Sequence, residues 1–322
     1  MKSYNGIYIF VQLYQGILKQ AMKPKSIKSY LVSTMSLMLL LSGLSCVTSS
    51  CTQEKVKEEY VPFTKQHLEF KTEPTFKGSA PQPFDNRVPA GAIPVVYQSE
   101  KQDMKGWLFT PVVKEGKRPA VLYAHSGFAL DKYDAEAVRP LVDAGYVVFL
   151  PSWRAENGNP GHYEQCCGEV VDAVNALNWL SNRPEVDSSE IYGAGNGVGA
   201  TIIWLLAEMS PKMKKVAVFG PNPSMLRTKK TYSEPPFNLQ IPMELKVRSP
   251  GEYFRDLKCP LMLLYVSGDN EDEAYMAQAK EIYDEVRADV KKPVEFTELV
   301  GADHKTRTDS AMTRMVTFFS SQ

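Results

Sequence analysis

The residues that most invite chemistry lie in EIYGAGNGVGATIIW, positions 190–204. A strand-like run enters a cluster of glycines and leaves as an apolar, helix-like run. A tight strand–turn–helix bend of this kind serves two chemistries: its glycine backbone cradles a phosphate, or it holds up a nucleophile at the centre of a G-x-S-x-G elbow. Here the elbow pattern runs Gly195, Asn196, Gly197, Val198, Gly199, with glycine at its centre. The same residues with Ala200 fit G-x-G-x-x-A. A dinucleotide fingerprint needs the first βα turn of its unit and a carboxylate about 20 positions later for the ribose. The next strand-like run ends VAVFGPNP without a carboxylate, and several strands precede the glycines. A dinucleotide-binding Rossmann protein is therefore the weaker alternative.

Other reactive side chains are few. The histidines are His67, His125, His162 and His304, and the cysteines are Cys46, Cys51, Cys166, Cys167 and Cys259. No C-x-x-C spacing occurs, so nothing suggests zinc, and no metal or organic cofactor is implied. Cys166 and Cys167 fall at the start of a predicted helix, just after a loop at 151–163. A helix N-terminus lowers a thiol pKa, which makes these two the alternative nucleophiles. Adjacent cysteines also read as structural, or as a vicinal disulfide.

The elements that must position these residues follow a rhythm from residue 93. Strands are predicted at 93–98, 105–110, 119–124, 146–151, 189–194, 215–220, 260–266 and 294–299. Several are continuous apolar runs, as in parallel strands buried on both faces. Helices are predicted at 131–144, 164–182, 199–209, 273–289 and 306–319. In the second, Val170, Val171, Val174, Leu177 and Leu180 recur at helical spacing. Strands alternating with helices imply an α/β fold with a doubly wound, mainly parallel sheet. Residues 221–258 carry prolines without periodicity and read as a candidate lid over the sheet's carboxyl edge.

Several segments, in order, resemble the α/β-hydrolase superfamily over roughly residues 93–321, and within it the catalytic domains of prolyl-oligopeptidase-like and acyl-peptidase-like enzymes. HSGF at 125–128 resembles the HGG-type oxyanion loop. PSWRAENGNPGHYE at 151–164 resembles the P-D-x-R-G-x-x-G loop. RPEVDSSEIYGAGNGVGA at 183–200 resembles the run into G-H-S-x-G-G. RSPGEYFRDLKCPLMLLYVSGDNED at 248–272 and GADHKT at 301–306 resemble the segments that deliver the acid and the histidine.

The resemblance implies a triad in the order nucleophile, acid, histidine. His304 fits the base. Glu271 fits the acid, with Asp269 and Asp272 as close rivals. Backbone amides near Ser126 or Gly127, with that of Val198, fit the oxyanion hole. The family's serine falls on Gly197, which has no side chain to attack with. The implied reading is a catalytically degenerate hydrolase whose cleft binds an ester, a peptide or an acylated glycan. The alternative is an active esterase or peptidase with another nucleophile: Cys166 or Cys167, or less favourably Ser126. His125 is expected to support the oxyanion loop. Arg154 and Glu156 are expected to pair, to bind substrate, or to lie in a solvated loop. His162 and Tyr163 are expected to line the cleft, and Trp153 to pack.

Upstream of this domain, MKPKSIKSYLVSTMSLMLLLSGLSC at 22–46 has a basic start (Lys23, Lys25, Lys28) and an apolar stretch at 31–44. Spanning a bilayer takes about 20 apolar residues. The stretch therefore reads as an export signal, and it resembles a bacterial lipoprotein signal that ends on a lipidated Cys46. Residues 1–46 are thus expected to be an upstream segment and signal, 47–92 a tether and N-terminal extension, and 93–322 the hydrolase domain. The expected localisation is membrane-anchored through the lipid, otherwise periplasmic or secreted. Lys+Arg and Asp+Glu both number 37. Nothing in that balance calls for nucleic acid or an anionic membrane surface.

Overall fold

The computed structural model describes residues 60–112, 116–300 and 304–321, without the side chains of His304 and Lys305. The expected signal, Cys46 and the first part of the tether lie outside the described residues.

Eight strands form one sheet in the order β1-β2-β4-β3-β5-β6-β7-β8. They are β1 (Ile93–Ser99), β2 (Gln102–Phe109), β3 (Arg118–Ala124), β4 (Val147–Pro151), β5 (Val186–Asn196), β6 (Lys215–Phe219), β7 (Leu261–Val266) and β8 (Val294–Leu299). β1 and β2 pair antiparallel, as do β2 and β4, and every later pairing is parallel. Every residue of β4, β6 and β7 is buried. This is why those strands read as unbroken apolar runs.

Side chains alternate between the two faces, and each face has its own core. On one face Leu122, Phe149, Val218 and Leu263 pack with α4 (Gly168–Ser181), α5 (Val198–Met209) and α8 (Asn270–Val286). On the other, Val121, Val148, Ala217 and Leu264 pack with α3 (Arg139–Asp143) and α9 (His304–Ser320) through Leu141, Met312 and Met315. Remaining helices are α1 (Phe63–Glu69), α2 (Lys132–Ala137), α6 (Met225–Thr228) and α7 (Pro242–Lys246).

Three boundaries differ from expectation for local reasons. The helix expected at 131–144 is two, α2 and α3, joined at Val138 with Pro140 in the first turn of the second. Proline has no N–H for the preceding turn and its ring clashes there. The helix expected from 164 begins at Gly168, because Gln165 and Cys166 take φ of 52° and 64°. The helix expected from 273 begins at Asn270, because the Asp269 side chain accepts from the amides of Glu271 and Asp272.

Residues 60–92 are packed rather than loose. Phe63 is fully buried against Tyr253, and its amide donates to Asp256. The Thr72 hydroxyl donates to Glu244, and the Thr75 amide to the Pro236 carbonyl. Residues 221–258 are equally fixed. Arg248 is fully buried, 2.6 Å from Glu244, and stacks over Phe237.

Candidate active site

The bend between β5 and α5 is built around two glycines. Gly197 has φ 56° and ψ −120°, a conformation that side-chain-bearing residues occupy only under strain. Gly199 lies so close to β3 that a Cβ there would overlap the carbonyl oxygens of Ala124 and His125. Gly197 is lifted to the top of the turn, where among the described residues only Ser126 would lie within 4 Å of a Cβ. Ser126 Oγ would stand 3.1 Å from it. The turn is tied down from both sides. The Gly197 amide donates to Phe219, and its carbonyl accepts from the Tyr232 hydroxyl at 3.1 Å. Tyr232 also accepts from the Asn222 amide and meets Thr201 Oγ1, so the 221–258 segment anchors the elbow.

A cavity of about 440 Å³ opens over Gly197 and is lined by Ser126, Asp269, Glu271, Asp272 and Arg307 among others. All three acid candidates thus face the elbow, in different states. Asp269 caps α8 and lies 3.4 Å from Arg307. Glu271 is 59% exposed and accepts from the Tyr275 hydroxyl at 2.9 Å. Asp272 is half-buried and accepts from the Val266 amide at 2.8 Å; burial pushes its carboxyl above the ordinary range. His304 is the first residue of α9, and Arg307, three positions on, reaches this cavity. The His304 side chain lies outside the described residues.

The amide of Val198 is the first of α5 and so one of the helix's orphan donors. Gly127 takes φ +72° in the facing loop. That loop is held by a residue the sequence did not single out: Gln82 Oε1 accepts from the Phe128 amide, and Gln82 Nε2 donates to the Ala129 carbonyl. Only the structure could find Gln82, because it lies 46 positions from its partner in a polar, proline-bearing stretch.

His125 carries the loop from beneath. It is fully buried, with Nε2 3.0 Å from Glu156 and Nδ1 3.1 Å from the Ser126 carbonyl. Both ring nitrogens face oxygens, an arrangement that an imidazolium satisfies with both of its N–H groups. Burial alone would lower its pKa; the Glu156 carboxylate overrides this and lifts it to about 9.

Arg154 and Glu156 do not pair with each other and are not solvated. Glu156 is taken by His125, while Arg154 holds the buried Asp172 together with Glu164 and Glu100. Trp153 packs, stacked with His125. His162 is exposed and does not line this cavity. Tyr163 is buried, bound to Ser233 and Gln165.

Cys166 and Cys167 depart from the expected thiolate character. Both are buried and unbridged, so there is no vicinal disulfide. Burial, with Glu169 close by, drives the Cys166 thiol well up, and burial pushes Cys167 to about 12. The helix start is overridden because burial, helped by nearby carboxylates, raises both thiols even with Arg248 pulling the other way. Cys166 Sγ instead contacts the Val198 carbonyl at 3.9 Å, beneath the elbow.

The glycine run is an elbow at mid-sheet, after the fifth strand, and not the first turn of a dinucleotide unit. Comparison with known proteins agrees. An uncharacterized protein of Mycobacterium tuberculosis is 33% identical over 137 residues, 42% of this chain and 48% of the relative. An uncharacterized peptidase of Bacillus subtilis is 24% identical over 218 residues, 62% of this chain and 81% of the relative. The chain spans about half the length of the Mycobacterium relative it matches. Among solved structures, an acylaminoacyl peptidase of Pyrococcus horikoshii has a TM-score of 0.55 at 19% identity, covering 71% of this chain and 41% of its own. Est2, an esterase of Thermogutta terrifontis, has a TM-score of 0.56 at 16% identity, covering 71% and 91%. These likenesses support the sheet and its order. The family model for the dienelactone hydrolase family matches residues 104–313, from β2 into α9. With that match laid over this strand order and this elbow, the chain belongs to the dienelactone hydrolase family of α/β-hydrolases.

Proposed function

We propose that the cleft binds an ester, a peptide or an acylated glycan through its acyl group and transfers that group poorly. One observation carries this reading: the elbow apex, at φ 56° and ψ −120°, is a glycine. Acyl transfer on this fold needs a nucleophile with a base in reach and an acid behind the base. In this reading His304 is the base and Glu271 the acid, with Asp272 the better-buried rival. The amides of Val198 and Gly127 hold the carbonyl oxygen. Those parts bind and polarise a carbonyl, but nothing at position 197 attacks it. Loss of a triad member leaves only about 10³–10⁴-fold over water.

A second reading keeps catalysis and is favoured by a single distance. Ser126 Oγ stands 3.1 Å from where a Cβ at 197 would be, so it borders the space a nucleophile there would occupy. Hydrolysis of p-nitrophenyl acetate by the native chain, Gly197→Ser and Ser126→Ala separates the two. A silent native chain and an active Gly197→Ser support the first. A native activity lost in Ser126→Ala supports the second and overturns the first.

Export and anchoring belong to the same reading. The basic Lys23, Lys25 and Lys28, the apolar stretch at 31–44 and Cys46 support a lipidated N-terminus ahead of the hydrolase domain. Incorporation of labelled palmitate that persists in Cys46→Ala would reject it.

A further inference from the structure

Beside the elbow cavity lies a second one, of about 550 Å³, which shares Ser126 and Asn196 with it. Its walls carry Asp131, Asp134, Glu136 and Asp309, and no lysine, arginine or histidine appears among its described lining residues. Three of these acids are engaged: Asp131 caps α2, Asp134 closes the capping box, and Asp309 has a partner of its own. Glu136 has none among the described residues. It is exposed near the C-terminal end of α2, where the helix dipole disfavours a negative charge.

An independent observation points to a ligand. Tyr123, 1% exposed on β3, lines the same cavity, and its hydroxyl makes no hydrogen bond to the described protein. A buried tyrosine hydroxyl ordinarily has a partner. Asp134 and Glu136 line the same cavity as Tyr123. Carboxylate and hydroxyl oxygens gathered there accept N–H donors, and the same charges repel an anion.

We propose that this cavity takes an ammonium or guanidinium group of the ligand, with the acyl part lying toward Gly197. Glu136 attracts the charge, Asp134 adds to it where it is ionised, and the Tyr123 hydroxyl accepts one of its hydrogens. This rests on the cleft being an acyl-ligand site and adds that the ligand is cationic.

The test uses the full chain and three probes of one shape: benzamidine, benzamide and benzoate, titrated calorimetrically. Benzamidine is expected to bind at least about tenfold tighter than benzamide, with benzoate weakest, as charge complementarity requires. At about pH 8.5, above the value of about 7 to which burial lifts the Asp134 carboxyl, Asp134→Asn and Glu136→Gln each reduce that preference, and Tyr123→Phe weakens benzamidine several-fold. Asp272→Asn, in the elbow cavity, leaves the preference intact. Glu136 is exposed and has no partner among the described residues, so its variant keeps the test readable if Asp134→Asn fails to fold. Equal binding of benzamidine and benzamide overturns the proposal, as does no benzamidine binding. A preference removed by Asp272→Asn but not by Asp134→Asn or Glu136→Gln overturns it too. None of the probes depends on acyl transfer, so ester turnover by the native chain would reject the proposed function and leave this result standing.

Discussion

Replacing Glu156 by glutamine should destabilise the protein in a pH window fixed by His125. The carboxylate lies 3.0 Å from Nε2 in a site closed to water, and the Ser126 carbonyl occupies the other ring nitrogen. The imidazolium pKa is lifted to about 9, from an ordinary value of about 6.5. A folded-state pKa above the unfolded one means that the folded chain binds the proton more tightly. That stabilisation is complete below about pH 6.5 and is lost as pH rises through 9. At about 1.36 kcal/mol per pKa unit, the pair contributes about 3 kcal/mol near pH 6.5. Glutamine keeps an oxygen for the Trp153 amide, which Glu156 now accepts at 3.1 Å, so the backbone contact survives. Urea denaturation of both proteins from pH 6 to 10 reads the difference directly. The gap in stability should be about 3 kcal/mol at the acidic end and close toward pH 10. A gap of the same size at every pH would mean that the ring is neutral and the pair an ordinary hydrogen bond.

Other outcomes follow from the same contacts. Gly197→Ala should cost about 1–3 kcal/mol, because φ +56° with ψ −120° strains any side-chain-bearing residue; an unchanged melting temperature would show that the turn relaxes. Cys166 and Cys167 should resist iodoacetamide in the folded chain at pH 8 and react on unfolding, because burial holds both thiols protonated; rapid folded-state alkylation followed by mass mapping would contradict this. Arg154→Ala should cost about 3–5 kcal/mol in chemical denaturation, because it strands the buried Asp172 carboxylate.

The sheet was legible because burial on both faces leaves unbroken apolar runs such as PAVLYA and PLMLLYV, and all eight strands lie close to their expected places. The elbow was legible because glycine spacing reflects close backbone approach at Gly199 and positive φ at Gly197. Contacts across the chain were not. His125 meets Glu156 across 31 positions, and neither residue type announces a buried ion pair in a loop. Residues 60–92 read as tether and extension because their polar, proline-bearing composition hides a few anchors, chiefly Phe63, Thr72 and Gln82. The thiol argument failed on environment: a helix start favours thiolate only where burial and neighbouring carboxylates do not outweigh it.

The central claim is that the elbow holds no nucleophile. The most direct measurement is labelling of the purified native chain with a fluorophosphonate, followed by peptide mass mapping, beside Gly197→Ser and His304→Ala. The expected result is no adduct on the native chain and one adduct on Gly197→Ser at position 197. An adduct on the native chain at Ser126, absent in His304→Ala, would contradict the claim and make this an active serine hydrolase with a displaced nucleophile.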